Sequence, residues 1–244
     1  MDKKEWFEEW FNTSYYHTLY QHRNEDEAKQ FIQTLFDFLA LEKNATCLDL
    51  ACGKGRHSKV IHDCGYNVLG ADLSANSIEI AKDYENANLS FLVHDMREVI
   101  QGWEFDVIVN LFTSFGYFDD NSDNLKVLKS IKAMLKPKGS VVIDFLNAEK
   151  VITNLVKDET KTIEGIAFNL QRWNDENHVF KKIEFTDKGK DYSFTERVQA
   201  LKLSDFEYLL SKSGFKIEHT FGNYLLEPFS SSTSDRLVII ASVE

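Results

Sequence analysis

Three acidic residues stand at the ends of apolar runs that have the length of buried strands. Asp49 and Asp72 lie in "CLDLACGKG" and "VLGADLS", and Asp95 lies in "FLVHDM". Carboxylates at neighbouring strand ends can accept hydrogen bonds from adjacent hydroxyls and attract a cationic group, but they repel a diphosphate. These acids therefore predict a site for a polar, partly cationic small molecule, although Asp72 alone could also be an exposed helix cap.

Gly53 and Gly55 form a G-x-G turn between the first apolar run and a predicted helix. Glycine permits a left-handed backbone and lets a ligand approach the main chain closely. The dinucleotide-binding pattern needs a third glycine, and this sequence has Ser58 in that place. A nicotinamide-dependent oxidoreductase is therefore a disfavoured alternative, and a tight turn with no ligand stays open.

Strands and helices alternate around these residues. The apolar periodicity predicts strands at 46–50, 67–71, 89–93, 105–111 and 139–146, with helices at 56–64, 74–86 and 122–136. Ser74 is the predicted N-cap of the second helix, and "LKPKG" is predicted to end the third. This alternation favours a parallel, doubly wound sheet that binds ligands at the carboxyl ends of its strands.

The rhythm changes to period two beyond residue 150, which predicts a small inserted antiparallel sheet. A helix follows at about 205–213, opened by a capping box of Ser204 and Glu207, and two further strands complete the main sheet. The predicted fold is α/β: a Rossmann-like, seven-stranded sheet with an antiparallel last strand, plus the inserted sheet. The expected divisions are 1–150 (covering helices and cofactor-binding core), 151–202 (inserted sheet) and 203–244 (completion of the core).

Composition narrows the class of protein. The 28 Lys and Arg residues against 39 Asp and Glu residues give a net charge of −11 without a clustered basic patch, which disfavours nucleic acid as a partner. Three cysteines without a C-x-x-C pair indicate a reducing compartment, and we expect a cytoplasmic protein without a membrane span. No ligand spacing for a metal is present in the sequence, and a homo-oligomer is possible.

The motifs together resemble those of the class I S-adenosylmethionine-dependent methyltransferases over residues 28–146 and in the last two strands. The resemblance implies S-adenosylmethionine as cofactor, with Asp72 on the ribose and Asp95 and Met96 at the adenine. Ala51 stands where that family more often has a glycine. The cofactor-binding residues that it implies are Arg23, Asp49, Ala51, Cys52, Gly53, Gly55, Asp72, Leu73, Ser74, Asp95, Met96 and Leu111.

The segment "LFTSFGYF" resembles the acceptor loop of small-molecule N-methyltransferases, such as glycine N-methyltransferase and the sugar-amine dimethyltransferases. It lacks the proline-containing signatures of the enzymes that methylate nucleobases. In these relatives an arginine of the aromatic N-terminal segment clamps the cofactor carboxylate, which implies Arg23. The implied substrate-binding residues are Tyr16, Tyr20, Thr113, Ser114, Tyr117, Arg172 and Trp173.

The implied reaction is in-line methyl transfer to nitrogen, or to oxygen, of a small-molecule acceptor. A protein that binds S-adenosylmethionine or its product without catalysis would keep the same cofactor residues and stays open as an alternative. Simple packing of a covering helix is the alternative for the tyrosines, and an outward-facing structural pair is the alternative for Arg172 and Trp173.

Overall fold

The computed structural model describes residues 6–20 and 25–244, with backbone alone for residues 8 and 25–27. Seven of the strands in this part of the chain form one sheet. They are β1 (Thr46–Leu50), β2 (Asn67–Asp72), β3 (Leu89–Val93), β4 (Phe105–Asn110), β5 (Leu135–Leu146), β10 (Phe215–Phe221) and β11 (Arg236–Val243). Their order is β10-β11-β5-β4-β1-β2-β3, and β11 runs antiparallel to both of its neighbours. The predicted Rossmann-like sheet with an antiparallel last strand is confirmed.

Helices cover both faces of this sheet because successive strand residues point to opposite sides. The helices of the described residues are α1 (Trp6–Phe11), α2 (Ser14–Tyr20), α3 (Glu25–Leu39), α4 (Arg56–Asp63), α5 (Ala75–Ala81), α6 (Asn121–Met134), α7 (Ala148–Thr153) and α8 (Leu203–Lys212). Cys47 and Val107 pack in the core beneath α3, α4 and α5, whereas Leu48 and Ile108 pack beneath α6 and α8. The carboxyl ends of β1, β2, β3 and β4 thus meet at one edge, between two packed layers.

A four-stranded antiparallel sheet is inserted between α7 and α8. Its strands, in spatial order, are β6 (Asp158–Ile163), β7 (Ile166–Asn174), β8 (His178–Asp187) and β9 (Lys190–Gln199). Two-residue turns join β6 to β7 and β8 to β9, and all four turn residues have positive φ: Glu164, Gly165, Lys188 and Gly189. Such turns match the twist of a hairpin.

The N-terminal helices α1 and α2 pack on this inserted sheet. Trp10 and Leu19 join a buried cluster with Phe168, Ile183 and Phe185. The aromatic residues of the N-terminal segment therefore have a structural reason to be apolar. They also place α1 and α2 over the edge of the main sheet where its strands end, as the contacts described below show.

Several element boundaries differ from the predicted ones. The capping box at Ser204 is wrong, because the N-cap is Lys202 and its N–H donates to Asp205 Oδ2 at 2.7 Å. "LKPKG" does end α6, but it already belongs to β5. Ser74 is the N-cap of α5, as predicted, with its hydroxyl accepting from the N–H of Ser77 at 3.2 Å.

Candidate active site

The glycine turn after β1 lies against the end of β2. Ala51, Gly53 and Gly55 all have positive φ, and the N–H groups of Ala51 and Cys52 donate to the carbonyl of Ala71. A Cβ on Gly55 would lie 2.6 Å from the ring of a phenylalanine, whereas a Cβ on Gly53 would point into open space. The turn is therefore packed from below at Gly55 and leaves room for a ligand above Gly53.

Asp72 ends β2 and is the acid that faces this room. Its Oδ2 accepts the N–H of Gly53 at 2.8 Å and its Oδ1 accepts the N–H of Ser74 at 2.8 Å. Burial raises the pKa of Asp72 above its ordinary value, although the two backbone N–H groups act in the opposite direction. Each oxygen keeps acceptor capacity, so the carboxylate can still receive a pair of adjacent hydroxyls.

Asp49 lies beneath the glycine turn. Its side chain is buried and accepts a hydrogen bond from the hydroxyl of Ser58, in α4, at 2.6 Å. Burial raises the pKa of Asp49 to about 6. The structure therefore places this acid where it supports the turn, separated from the open space above.

Asp95 follows β3 and is held by Arg97. The guanidinium makes three hydrogen bonds to the carboxylate: Nε donates to Oδ1 and to Oδ2, both at 3.0 Å, and Nη2 donates to Oδ2 at 2.6 Å. Burial acts to raise the pKa of Asp95, but the guanidinium outweighs it and the pKa is lowered. The carbonyl of Met96 accepts from the hydroxyl of Ser130 at 2.6 Å, which fixes the adjoining backbone.

These residues surround a crevice of about 860 Å³ that is open to solvent. Six of the predicted cofactor-binding residues line it: Ala51, Gly53, Asp72, Leu73, Asp95 and Met96. Four others, with Asp49, are buried around it without lining it: Cys52, Gly55, Ser74 and Leu111. Arg23, the predicted carboxylate clamp, lies outside the described residues.

Aromatic side chains that were not predicted close the crevice. Phe7 and Phe11 reach it from α1, and Phe112 and Phe118 reach it from the segment after β4. The alternation of aromatic and charged residues in "WFEEWF" was a signal that this helix has one face to bury. The resemblance implied that the N-terminal segment covers the cofactor, but it did not indicate which aromatic residues of the segment line the crevice.

A second space, the chamber, adjoins the crevice and lies between the main sheet and the inserted sheet. It has a volume of about 1060 Å³ including solvent-open space. Both spaces are lined by four aromatic residues, namely Phe11, Tyr16, Phe112 and Tyr117. The predicted acceptor residues Tyr20, Thr113 and Arg172 line the chamber, whereas Ser114 lines the crevice. Trp173 is 42 % exposed and stacks on Phe180, and it lines neither space.

Glu196 in β9 forms the polar wall of the chamber. It accepts hydrogen bonds from the indole N–H of Trp10 at 2.7 Å and from the hydroxyl of Tyr20 at 2.7 Å. Lys181 lies 3.6 Å from the same carboxylate and 4.5 Å from the centre of the Tyr20 ring. Sequence reasoning missed Lys181, Glu196 and Arg236, because a charged residue on an alternating strand is normally read as solvent-facing.

The described residues contain no group of three or more His, Cys, Asp or Glu side chains that could hold a metal ion. Within the same residues, every helix is too short or too polar to cross a lipid bilayer.

The open space above Gly53, the Asp72 carboxylate that lines the crevice and the aromatic walls fit an adenosine that is joined to an amino acid. Comparison with known proteins agrees with this fit. A family model described as a methyltransferase domain matches residues 20–220. The chain is 28 % identical to the putative methyltransferase YqeM of Bacillus subtilis (strain 168), over 92 % of each chain.

Two further comparisons give a second relative and a solved structure. The chain is 27 % identical to the glycine/sarcosine N-methyltransferase of Halorhodospira halochloris, over 83 % of this chain and 75 % of the relative. The crystal structure of an S-adenosylmethionine-dependent methyltransferase from Clostridium acetobutylicum ATCC 824 superposes with a TM-score of 0.79 at 18 % identity, covering 94 % of this chain and 96 % of the other. That superposition shows a shared fold. The chain belongs to the methyltransferase-domain family and is an S-adenosylmethionine-dependent methyltransferase.

Proposed function

We propose that this methyltransferase acts on the amino nitrogen of a small molecule that binds in the chamber. The observation that carries the proposal is the composition of the chamber wall. Aromatic rings from α1, α2 and the segment after β4 surround the space. Its charged lining residues are Glu196 and three cations, Arg172, Lys181 and Arg236, and each cation is paired with a carboxylate, so the aromatic faces are the main attraction that the wall offers to an ammonium. Aromatic faces and carboxylates are the groups that attract an ammonium.

The residues that line the crevice are assigned to the parts of the cofactor. We assign the backbone of Ala51 and Gly53 to the amino-acid part of S-adenosylmethionine, Asp72 to the ribose hydroxyls, and Asp95 and Met96 to the adenine. When bound, the cofactor would supply an electrophilic methyl carbon on its sulfonium sulfur. As the lone pair of a neutral amine forms the N–C bond in line, the C–S bond would break, S-adenosylhomocysteine would leave, and the ammonium product would lose a proton to solvent. The remaining work of the chain is to orient the amine and to exclude water, and good orientation alone can supply roughly 7–11 kcal/mol.

The chamber favours nitrogen over oxygen as the methylated atom. A hydroxyl needs a positioned base to remove its proton, whereas an amine that is already neutral does not. Among the described residues that line the chamber there is no histidine, and Glu196 already accepts hydrogen bonds from Trp10 and Tyr20. Positive charge develops on an amine nitrogen as it accepts the methyl group. The faces of Tyr16, Tyr20 and Tyr117 can stabilise that charge.

The experiment is a turnover assay with S-adenosylmethionine labelled in its methyl group. Small amines, including glycine, sarcosine and amino sugars, are compared with hydroxyl compounds of matched size, and S-adenosylhomocysteine release and the mass of the product are followed. We expect methylated nitrogen and a rate that rises with pH as the amine loses its proton. Turnover of the hydroxyl panel alone would contradict the proposal, and tight cofactor binding without any turnover would favour a binding protein.

A control variant distinguishes a loss of methyl transfer from a general loss of folding. Tyr117→Leu removes an aromatic face that lines both spaces, and it should lower the rate on amines. Tyr208→Leu removes a tyrosine that is 57 % exposed on α8 and should leave the rate unchanged. Equal rates in the two variants would argue against the aromatic wall as the acceptor site.

A further inference from the structure

Two consecutive residues after β4 adopt a left-handed backbone although neither is a glycine. Phe112 has φ 58° and Thr113 has φ 63°. This conformation is costly for residues with a Cβ, and more so for a β-branched residue such as threonine. It persists only where the surrounding structure determines it, and such steps concentrate at functional sites. We call these two residues the Phe112–Thr113 step. The groups that hold its backbone in this conformation therefore indicate what the step does.

Asp144, near the carboxyl end of β5, makes the contacts that fix the step. Its Oδ2 accepts the N–H of Phe112 at 2.8 Å, and its backbone carbonyl accepts the N–H of Thr113 at 2.9 Å. Arg236, the first residue of β11, donates from Nε to Asp144 Oδ1 at 2.8 Å and from Nη2 to the hydroxyl oxygen of Thr113 at 2.9 Å. The hydroxyl of Tyr224 donates to Asp144 Oδ2 at 3.3 Å.

The pair of Asp144 and Arg236 is poorly explained as a source of stability. The Asp144 side chain is fully buried and that of Arg236 is 19 % exposed. Burial acts to lower the pKa of Arg236, but the carboxylate outweighs it and the pKa is raised, so the guanidinium stays charged. Moving two charges out of water costs free energy, and the attraction between them often does no more than offset that cost. What such a pair does provide is a fixed geometry.

That geometry lies where the two spaces meet. Phe112 lines both the cofactor crevice and the chamber, and Thr113 lines the chamber. Because the hydroxyl oxygen of Thr113 accepts from Arg236, its own hydrogen remains available for a bound molecule. We propose that Asp144 and Arg236 are positioning residues for methyl transfer, which hold the Phe112–Thr113 step as the wall that aligns acceptor and cofactor.

The inference rests on methyltransferase activity and on the chamber as the acceptor site of the proposed function. Its first test compares Arg236→Lys and Asp144→Asn with the wild type, using the best acceptor of the amine panel. We expect kcat to fall by roughly 10- to 100-fold, because misplacement by about 1 Å can cost 10²-fold. The Kd of S-adenosylmethionine, measured by calorimetry, should rise by a clearly smaller factor than kcat falls, because Asp144 and Arg236 do not line the crevice and reach it only through Phe112, one of its wall residues.

A control is available at the opposite end of β4 and β5, the strand that precedes Phe112 and the strand that carries Asp144. Asp106 in β4 and Lys136 in β5 form an ion pair at 2.7 Å, and Asp106 also accepts a backbone N–H from β1. Lys136→Gln therefore removes a β4–β5 ion pair that lies away from both spaces, and its kcat should match that of the wild type. The double variant of Asp144→Asn with Arg236→Lys should lose less than the sum of the single losses, because the two residues act as one unit.

A second measurement needs no acceptor. Backbone couplings and intraresidue amide-to-Hα distances from NMR report the sign of φ at Phe112 and Thr113 directly. Arg236→Lys should shift both residues away from positive φ while the strands keep their signals. The inference is overturned if φ stays positive at both residues, if kcat is unchanged, or if the Kd of the cofactor rises in parallel with the loss of rate. The wild-type rate on amines tests the proposed function separately.

Discussion

Replacement of Asp72 by alanine is the sharpest perturbation of the cofactor crevice. The carboxylate is held by the N–H groups of Gly53 and Ser74, both at 2.8 Å, so its orientation is set before a ligand arrives. If it accepts the two ribose hydroxyls, the variant loses two charge-assisted hydrogen bonds of about 1.5–3 kcal/mol each. Because paired contacts are not additive, we expect a loss of roughly 2–4 kcal/mol, which is about a 30- to 1000-fold increase in Kd.

Isothermal titration with S-adenosylhomocysteine measures this change. Asp175 offers a matched control, since it accepts the N–H groups of Asn177 and His178 at 2.8 and 2.7 Å in a turn that lines neither space. Asp175→Ala removes the same kind of contacts and should leave the Kd unchanged. A comparable loss in both variants would mean that loop order, and not ribose recognition, sets the affinity.

A ligand that lacks one ribose hydroxyl, tested against the wild type and Asp72→Ala, makes a double-mutant-type cycle between the acid and the hydroxyl. The wild type should bind 2′-deoxy-S-adenosylhomocysteine more weakly than the parent compound, whereas Asp72→Ala should bind the two alike. If the variant still discriminates between them, another group recognises the ribose, and the assignment of Asp72 is refuted.

Three further predictions concern the surroundings of the site. Burial raises the pKa of Asp49 to about 6 from 3.8, so its contribution to stability is complete below pH 3.8 and is lost as the pH rises through about 6. Asp49→Asn should therefore gain stability relative to the wild type between about pH 4 and about pH 7 in urea titrations, and an unchanged difference would contradict the buried charge. Gly55→Ala should cost about 1–3 kcal/mol more than Gly53→Ala in the same assay, because only at Gly55 would the Cβ meet Phe91, and equal costs would contradict that packing. Glu196→Ala should expose the N-terminal helices to protease by removing the carboxylate that binds their tryptophan and tyrosine side chains; unchanged cleavage would show that apolar packing alone holds them.

The strands of the main sheet could be predicted from the sequence because each is marked by a local pattern of apolar residues. Alternating apolar runs and helices give the strands to within a few residues, and the strand ends place Asp72 and Asp95 at one edge. The same alternation explains why Asp49 does not line the crevice. Asp49 points to the same face of β1 as Cys47, beneath α4, and there it meets Ser58. Strand parity was therefore available as a signal for this residue.

The chamber depends on contacts that no local pattern contains. Asp144 and Arg236 are 92 positions apart and meet only because β11 pairs with β5. A partial signal existed, since an acid inside the apolar run "SVVIDFL" needs a buried partner. Which of the cations supplies that partner follows only from the strand order. Glu196 is similar, because its donors come from helices more than 170 positions away.

The covering helices connect the two halves of the site physically. Phe11 and Tyr16 line both spaces, while Trp10 and Tyr20 bind Glu196 of the inserted sheet. A displacement of these helices therefore alters the cofactor crevice and the chamber together. If a bound cofactor contacts Phe11 and Tyr16, its binding energy would favour the helix position that also forms the wall of the chamber. The inserted sheet gives the covering helices a fixed surface, and on the proposed assignment of the two spaces we expect cofactor and acceptor binding to be interdependent.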